Sequence, residues 1–280
     1  MENIPALWLN HFPFPNASQH KYDRGHVVVS GGGIACTGAA CLAATAALRV
    51  GAGVVTVAAP TDALMVYAIK LTSVMARPCP YIGAFKDIII DPRVRVVVLG
   101  PGNGVSRQTA KKAELALTLK KSCVIDADAI TAFANKPSRL FDAICSPVVL
   151  TPHEGEFVRL FDCQGSRIER AQAAAKKSKA VVVLKGSETV IASPDGRYVV
   201  NNNAPATLAT AGSGDVLSGI IAGLMAQGME AFMASCSAVW LHSKAAQLSG
   251  MGMISEDLLT LLPSVIKQIH DTLELELKPE

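Results

Sequence analysis

Short apolar runs alternate with segments of helical period along most of the 280-residue chain. The runs are rich in β-branched residues and nearly free of charge, which is typical of strands buried on both faces. They cover residues 26–30, 54–58, 95–99, 124–125, 148–150 and 180–184. Strands that alternate with helices in this way predict an α/β fold with a mostly parallel sheet.

Between and after these strands, apolar positions recur every three or four residues or small residues dominate, and both patterns predict helices. The predicted helices cover residues 39–50, 61–71, 108–121, 167–178, 234–248 and 256–270. We expect Ser255 to cap the last of them and Pro263 to break or kink it. A turn signal at residues 194–196, between the apolar segments 190–192 and 198–200, predicts a β-hairpin.

The most distinctive stretch is residues 201–228, where a loop of small and polar residues runs directly into a helix with Asp215 in its first turn. Unpaired amides and the helix dipole attract anions to such a helix start. The glycines at 212 and 214 would let a phosphate approach the backbone closely. Asp215 could then take a proton from a hydroxyl that attacks a phosphoryl group. On these residues alone, an ordinary helix start in which Asp215 only complements the dipole remains an alternative.

Polar or glycine-rich turns follow strand after strand. Their sequences are SGGG, LGPGNG, IDADA, LTPHEGE and LKGSET. The carboxyl ends of parallel strands lie at one edge of a sheet, where open α/β proteins bind ligands. The first turn carries Cys36 at the third glycine position of the dinucleotide fingerprint and Ala39 at the lysine position of a P-loop. The turns therefore predict one ligand site at that edge, built without either standard phosphate motif.

Composition narrows the class of protein. Hydrophobic residues make up 50% of the chain and charged residues 18%, which is enough for a sizeable core. The net charge is +3, the basic residues are dispersed and aromatic residues are 5%, so we expect no nucleic-acid partner. Seven cysteines without a CxxC pair favour reduced thiols.

The sequence has no signal-peptide pattern and no apolar run of membrane-spanning length, so we expect no membrane partner and a soluble cytoplasmic protein. We predict a single domain over residues 1–280, with an irregular arm at 1–20 and a polar tail at 271–280.

Seven motifs occur in an order that resembles the NAD(P)H-hydrate dehydratase family of the ribokinase-like superfamily. They are KYDRGHVVVSGGG, GAACLAATAALRVGAG, LGPGNG, VIDADAIT, LTPHEGEF, VLKGSETVIASPDG and ATAGSGDVLSGIIAGLMAQG. The resemblance covers residues 21–250 or so, and an ordered set of motifs is more specific than any single one. It implies a ribokinase-like three-layer α/β/α sandwich with a mostly parallel central sheet.

The same resemblance implies an enzyme of metabolite repair, a carbon-oxygen lyase. Such an enzyme dehydrates the S epimer of NADHX or NADPHX to NADH or NADPH while ADP, or ATP in eukaryotic members, serves as co-substrate. With ADP, the nucleotide products are AMP and phosphate. Mg²⁺ is the implied cofactor. The resemblance also implies a homo-oligomer, with a tetramer as one option, and a functional pairing with a separate NAD(P)H-hydrate epimerase.

Roles for individual residues follow from the resemblance. Asp215 matches the catalytic aspartate, and Glu156 would help to hold Mg²⁺ through water. The anion hole for the transferred phosphoryl group is implied at Ala211, Gly212, Ser213 and Gly214. Nucleotide binding is implied for Lys185, Gly186, Ser187, Glu188, Thr189 and Gly214. Substrate contacts are implied for Ala39, Gly102, His153 and Asp215. Asp126 and Asp128 are expected near the site without a fixed role.

Two other functions stay open. A kinase of the same superfamily acting on a small alcohol, such as a vitamin precursor, would share the fold, although the HxGEF and DADA turns favour the dehydratase. A nucleotide-binding module without catalysis is the second, and the presence of both Asp215 and Glu156 argues against it. His153 could instead be a structural histidine and Lys185 a solvated lysine. Three further residues are expected to be structural, namely His26, Cys36 and His242.

Overall fold

Nine strands form one sheet in the computed structural model, which describes residues 1–276 and the side chains of residues 1–273. The strands are β1 (His26–Ser30), β2 (Val54–Ala59), β3 (Met75–Pro78), β4 (Val94–Leu99), β5 (Ser122–Ile125), β6 (Val148–Leu150), β7 (Val181–Leu184), β8 (Thr189–Ala192) and β9 (Tyr198–Asn201). Their order across the sheet is β3-β2-β1-β4-β5-β6-β7-β8-β9. Strands β1 to β7 run parallel, and β8 and β9 form the predicted hairpin at one edge. The prediction of a mostly parallel sheet is confirmed.

Helices cover both faces of this sheet. They are α1 (Thr37–Arg49), α2 (Leu64–Lys70), α3 (Ile82–Ile89), α4 (Arg107–Thr118), α5 (Ala127–Thr131), α6 (Ser138–Ala143), α7 (Glu154–Leu160), α8 (Arg167–Ser178), α9 (Ser213–Ala226), α10 (Ala231–Ser249) and α11 (Ser255–Glu276). Helices α1, α9, α10 and α11 enclose one apolar core, and α3 to α8 enclose the other. Within β1, Val27 and Val29 face the first core and Val28 faces the second, as the alternation of strand side chains requires. The predicted three-layer α/β/α sandwich is confirmed.

Residues 72–94 receive no predicted element from the sequence, yet they contain β3 and α3. Strand β3 has four residues, lies at the edge of the sheet and is mostly exposed. A short edge strand of this kind lacks the buried β-branched run that marks the central strands.

The prediction that Pro263 breaks the last helix is wrong, because α11 continues through Pro263 without interruption. Pro263 lies between Leu262 and Val265, whose side chains are fully buried in the core. The packing of these two side chains compensates for the backbone hydrogen bond that proline cannot donate. Residues 271–276 of the predicted polar tail belong to α11 instead, and residues 277–280 lie outside the described part of the chain. Of the helices in residues 1–276, none combines the length and apolar character needed to cross a membrane.

The arm at residues 1–20 contains two short 3₁₀ turns and otherwise irregular backbone, and it packs against the domain. Trp8 is fully buried, with its ring 5.7 Å from that of Trp240 on α10. Glu2 forms a parallel bridge to Val200 of β9. The arm therefore covers part of the first core and one end of the hairpin.

Candidate active site

The carboxyl ends of β5 to β7 place a lysine between two carboxylates. Asp126 follows β5, Glu156 lies in the first turn of α7 and Lys185 follows β7. The Lys185 Nζ lies 2.8 Å from Asp126 Oδ1 and 3.9 Å from Glu156 Oε2. Ser218 of α9 donates from its Oγ to Asp126 Oδ2 at 2.7 Å, and the Ala127 N–H donates to Oδ1 at 2.9 Å. Both oxygens of Asp126 are therefore held, and Asp126 in turn holds Lys185.

The backbone around Asp126 is fixed by two unusual features. Ala127 has a φ of +47°, in the left-handed region that alanine adopts only at a cost. Gly100, at the end of β4, has a φ of +120°, and a Cβ there would lie 1.7 Å from the carbonyl oxygen of Asp126. Only glycine lets the β4 turn pass this close to β5. The position of the Asp126 carboxylate is thus set by backbone contacts as well as by its hydrogen bonds.

Helix α9 begins within the GSGD motif. Its N-cap is Gly212, with a φ of +88°, and a Cβ at that position would lie 2.6 Å from Leu42 Cδ1. No described side chain caps the first turn, so its amides are available to an anion. A Cβ on Gly214 would lie 3.4 Å from the Lys185 Nζ. The start of α9 and the Lys185 ammonium therefore face the same space.

Asp215 is the carboxylate of this cluster that has no hydrogen-bond partner among the described residues. Burial raises the pKa of Asp215 to about 7, and the negative charges of Asp126 and Asp128 raise it as well, while Lys185 opposes the rise. A carboxyl group that exchanges its proton near neutral pH has the property that a general base requires.

Burial acts in opposite directions on the pKa of Lys185 and on that of its neighbour Glu156. Burial alone would lower the pKa of Lys185, but Asp126 and Glu156 outweigh it and the pKa rises. Lys185 therefore stays protonated. Burial also raises the pKa of Glu156, an effect that Lys185 partly offsets. Lys185 is thus an internal counter-ion for the carboxylates around it, and the alternative of a simply solvated lysine is not what the structure shows.

These side chains line a cavity of about 820 Å³, a volume suited to a nucleotide-sized ligand. Its walls come from the turn after β7, from residues 204–210, from the first turn of α9 and from α10. The predicted nucleotide and anion-hole residues in this wall are Lys185, Gly186, Ser187, Thr189, Gly212, Ser213 and Gly214. Asp126, His153, Glu156 and Asp215 line it too.

Two residues predicted for the nucleotide and anion sites are not part of the cavity wall. The carbonyl oxygen of Glu188 accepts a hydrogen bond from Arg167 Nε at 2.9 Å. The carbonyl oxygen of Ala211 accepts one from Ser255 Oγ at 2.6 Å. That contact also corrects the prediction for Ser255, whose hydroxyl holds the loop before α9 instead of capping α11.

His153 lies at the cavity and has a structural task as well. Its Nδ1 accepts from the Glu156 N–H at 3.2 Å, and the Glu156 carboxylate accepts from the His153 N–H at 2.9 Å, which together form a capping box at the start of α7. A Cβ on Gly155 would lie 3.0 Å from His153 Cε1. The His-x-Gly-Glu spacing therefore lets the imidazole cap the helix while its half-exposed ring borders the cavity.

Ala39, in the first turn of α1, and Gly102, in the turn after β4, lie together outside the cavity wall. A Cβ on Gly102 would be 3.3 Å from the Ala39 Cβ and 2.5 Å from the carbonyl oxygen of Cys36. Asp128 connects this region to the charged cluster, because its Oδ2 accepts from the Gly104 N–H at 2.8 Å. The structure thus places the predicted substrate residues in two groups, with His153 and Asp215 at the cavity and Ala39 and Gly102 beside it.

Sequence reasoning missed two polar residues that α10 contributes to the cavity, His242 and Ser243. His242, expected to be structural, lines the wall, and its Nε2 lies 2.9 Å from the Ser213 carbonyl oxygen. The apolar wall of Leu208, Leu217 and Val239 was equally hidden, because apolar residues at helical spacing are typical of an ordinary core. Only the packing of α10 against α9 brings these side chains to the cavity. Of the other two residues expected to be structural, His26 bonds Thr56 at 2.8 Å inside the sheet and Cys36 is exposed before α1.

The family model for NAD(P)H-hydrate dehydratase matches residues 27–267. The chain is 39% identical to the bifunctional NAD(P)H-hydrate repair enzyme of Moorella thermoacetica, over 97% of this chain and 55% of that protein. It is 35% identical to the ADP-dependent (S)-NAD(P)H-hydrate dehydratase of Neisseria meningitidis, over 82% of this chain and 78% of that protein. The chain spans about half the length of the bifunctional relatives it matches.

Solved structures show the same fold. The ADP/ATP-dependent NAD(P)H-hydrate dehydratase of Bacillus subtilis, co-crystallized with ATP and Mg²⁺, superposes with a TM-score of 0.80 at 29% identity, over 92% of this chain and 94% of that chain. A ribokinase-like superfamily protein of Enterococcus faecalis superposes with a TM-score of 0.81 at 25% identity, over 91% of each chain. The family resemblance read from the ordered motifs is confirmed: this chain has a ribokinase-like fold and belongs to the NAD(P)H-hydrate dehydratase family.

Proposed function

We propose that this chain dehydrates the S epimer of NADHX or NADPHX to NADH or NADPH, coupled to conversion of ADP to AMP and phosphate. The observation that carries the proposal is the Asp215 carboxylate, which lies at the start of α9 on the wall of the cavity and has no hydrogen-bond partner among the described residues. The relatives support it, since that of Neisseria meningitidis is an ADP-dependent (S)-NAD(P)H-hydrate dehydratase.

Asp215 acts as the general base. Hydroxide leaves carbon poorly, whereas phosphate leaves readily. Asp215 takes the proton from the hydroxyl of the hydrated nicotinamide ring as that oxygen attacks the terminal phosphorus of ADP. The bond from that phosphorus to the bridging oxygen breaks, and AMP leaves. Phosphate then departs with the electrons of its C–O bond, a proton leaves the adjacent ring carbon, and the ring double bond is restored. The phosphorylated intermediate is part of this proposal.

The start of α9 stabilises the transferring group. Its uncapped amides and helix dipole supply positive potential where charge develops in phosphoryl transfer. Lys185 adds a fixed positive charge next to Gly214, positioned by Asp126. Because Asp126 and Ser218 hold this charge before substrate binds, little reorganisation is needed during the reaction.

The donor set fits Mg²⁺ held mainly by the nucleotide. Within the described residues, no group of three or more His, Cys, Asp or Glu side chains could hold a metal ion by itself. Mg²⁺ usually keeps several waters and binds one or two carboxylates together with substrate phosphates. Glu156 is a buried carboxylate on the cavity wall and is the residue that would hold the ion, through water. When bound, Mg²⁺ would neutralise charge on the phosphate oxygens.

The two substrates occupy different parts of the edge. The turn at residues 185–189 and Gly214 hold the adenine nucleotide, consistent with their position around the cavity. His153 contacts the hydrated dinucleotide from the cavity wall, and Ala39 of α1 and Gly102 after β4 contact it from beside the cavity. ADP is the expected phosphoryl donor, and ATP is the alternative, since the Bacillus subtilis relative is ADP/ATP-dependent.

The cellular setting belongs to the same proposal. We expect a cytoplasmic homo-oligomer that receives its S epimer from an NAD(P)H-hydrate epimerase. The support is the family resemblance, together with the description of the longer relatives as bifunctional repair enzymes.

The test is the absorbance of dihydronicotinamide at about 340 nm after the protein is added to (S)-NADHX with Mg²⁺ and ADP, with ATP, or without nucleotide. We expect a rise that requires nucleotide. Asp215→Asn should abolish it, while Asp87→Asn, an exposed aspartate of α3, should react like the wild type.

No rise with either nucleotide, on protein shown to be folded by circular dichroism, would overturn the proposal. Transfer of phosphate from nucleotide to a small alcohol under the same conditions would then identify a kinase of the same fold. Nucleotide binding without any turnover would instead identify a binding module.

A further inference from the structure

His242 is a polar residue of the cavity wall to which the proposed mechanism gives no role. It lies on α10, is 6% exposed, and its Nε2 is 2.9 Å from the carbonyl oxygen of Ser213 in the first turn of α9. A carbonyl oxygen can only accept a hydrogen bond, so Nε2 carries the proton and donates it. The contact therefore fixes the tautomer of the ring, and it ties α10 to the start of α9.

The other ring nitrogen is then an acceptor. Burial lowers the pKa of His242 to about 4, so the ring is neutral at neutral pH and Nδ1 keeps its lone pair. Within the part of the chain that the structure describes, no group donates to Nδ1. His242 is a buried residue that lines the cavity, and an acceptor that a bound ligand leaves without a donor is costly. A ligand that displaces water from this part of the cavity must therefore supply the donor itself.

The surroundings of His242 indicate which part of a ligand lies there. Leu217 of α9, Val239 of α10 and Leu208 before α9 line the cavity with it. The amides at the start of α9 attract the phosphates, and His242 adjoins that start through the Ser213 carbonyl oxygen. Ser243 lines the same wall, but its hydroxyl already donates to the Val239 carbonyl oxygen and accepts from Asn201. A largely apolar wall with an acceptor at His242 suits a flat heterocycle that carries an exocyclic donor, which is the pattern of a nucleotide base.

We propose that Nδ1 of His242 accepts a hydrogen bond from the 6-amino group of adenine and so makes this site selective for adenine over purines with a 6-carbonyl group. This inference rests on the proposed function, because it places the base of the nucleotide co-substrate. Guanine and hypoxanthine present an acceptor at position 6. Two acceptors would then face each other in a buried site, and both would lose their hydrogen bonds.

The experiment compares the binding of ADP and inosine diphosphate by isothermal titration calorimetry, with Mg²⁺ present and no hydrated dinucleotide. ADP has a 6-amino group next to an unprotonated ring nitrogen, whereas inosine diphosphate has a 6-carbonyl group next to a protonated one. We expect the wild type to bind ADP about 10- to 100-fold more tightly than inosine diphosphate.

Two substitutions separate the two ring nitrogens. The amide nitrogen of His242→Gln reaches the place of Nε2, so this variant keeps the donor to Ser213 and loses the acceptor at Nδ1. The amide oxygen of His242→Asn lies near the place of Nδ1, so this variant keeps the acceptor and loses the bond to Ser213. We expect the Gln variant to lose most of the preference for ADP, and the Asn variant to keep it.

A direct spectroscopic readout distinguishes a base contact from a purely structural role. The ¹⁵N chemical shift of His242 Nδ1 should move toward that of a hydrogen-bonded acceptor when ADP is added, and should not move with inosine diphosphate. The Nε2 shift should change little with either ligand.

Equal affinity of the wild type for the two nucleotides would overturn the inference, as would full ADP preference in the Gln variant or an absence of ADP binding. If the Gln variant does not fold, the wild-type affinity ratio, the Asn variant and the Nδ1 shift decide. The dehydratase proposal fails separately: selective ADP binding by protein that leaves (S)-NADHX unchanged would overturn the activity and leave the role of His242 standing.

Discussion

Two regions of the carboxyl edge of the sheet are built in different ways. The charged half consists of Asp126, Glu156, Lys185 and Asp215, at the ends of β5 to β7 and the start of α9. The glycine half consists of residues 31–33 and 100–104, at the ends of β1 and β4. In the charged half, side chains hold one another through hydrogen bonds and ion pairs. In the glycine half, backbone lies directly on backbone.

At two glycines of the glycine half, the spacing leaves no room for a side chain. A Cβ on Gly32 would lie 2.0 Å from the carbonyl oxygen of Gly102, and one on Gly100 would lie 1.7 Å from that of Asp126. The two halves therefore meet at Asp126, whose side chain belongs to the charged half and whose backbone supports the glycine half. Substitutions in the charged half should change chemistry more than folding, and substitutions in the glycine half should do the reverse.

The largest effect is expected for Asp215→Asn in the charged half. The variant removes the proposed general base, so kcat should fall by about 10²- to 10⁴-fold. The fold should remain intact, because no described residue hydrogen-bonds to the Asp215 carboxylate. Initial rates at about 340 nm, with Asp87→Asn as the control, measure the loss.

The same variant should be more stable than the wild type above neutral pH. The folded pKa of Asp215 is about 7, above its unfolded value of about 3.9. A raised pKa contributes stability that is fully present below about pH 4 and is lost as pH rises through about 7. At about pH 8 the ionised carboxylate is buried at a cost, so Asn should increase the free energy of unfolding by about 1–3 kcal/mol. Urea denaturation at pH 8 showing a loss of stability would mean that Asp215 is structurally paired.

The second prediction concerns the glycine half. Gly100→Ala places a Cβ against the Asp126 carbonyl and forces alanine to a φ of +120°. We expect the free energy of unfolding to fall by about 2–4 kcal/mol, which urea denaturation measures. Gly38→Ala is the matched control, because a Cβ at Gly38 meets nothing within 4 Å and α1 should gain about 0.5–1 kcal/mol from alanine. Equal stability of the two variants would contradict the close contact between β4 and β5.

The third prediction tests how Asp126 acts on Asp215 within the charged half. A general base must be ionised, so kcat/KM should rise with pH through a midpoint near 7. Asp126→Asn removes a nearby negative charge and frees Lys185 to face Asp215, and both changes favour the ionised form. The midpoint should therefore move down by about one pH unit. A midpoint that stays in place, with Asp87→Asn as the reference, would show that the two carboxylates do not interact.

The central strands were predictable because a run such as residues 26–30 is β-branched and buried on both faces, which leaves little choice of structure. The site was predictable in outline, because turns after parallel strands share one edge and the GSGD loop opens a helix. The edge strand β3 and the continuation of α11 through Pro263 were not, since both depend on tertiary packing that overrides local preference.

Within the site, sequence reasoning located Lys185 and Asp126 and did not pair them. Residues 59 positions apart have no local signal of contact, and their ion pair exists because β5 and β7 flank β6 in the sheet. His242 and the sharp turn at Ala127 were hidden for a related reason. A histidine in an apolar helix and an alanine in a DADA turn have no distinguishing sequence signal. Only the structure shows that the first lines the cavity and that the second has a positive φ.

The smallest predicted effect concerns that turn, where the two halves join. Ala127 has a φ of +47° and donates its N–H to the Asp126 carboxylate. Glycine adopts this backbone without steric cost but loses more entropy on folding, so Ala127→Gly should stabilise the protein by no more than about 0.5–1 kcal/mol. Activity should stay within about twofold, because Ser218 and Lys185 still hold Asp126.

Ala129→Gly, in the buried part of α5, should instead destabilise the protein by about 1 kcal/mol or more, since it removes a buried methyl group from a helical position. If urea denaturation shows that both glycine variants are destabilised alike, the turn at Ala127 is not left-handed, and the junction must be held by Gly100 and the side-chain bonds of Asp126 alone.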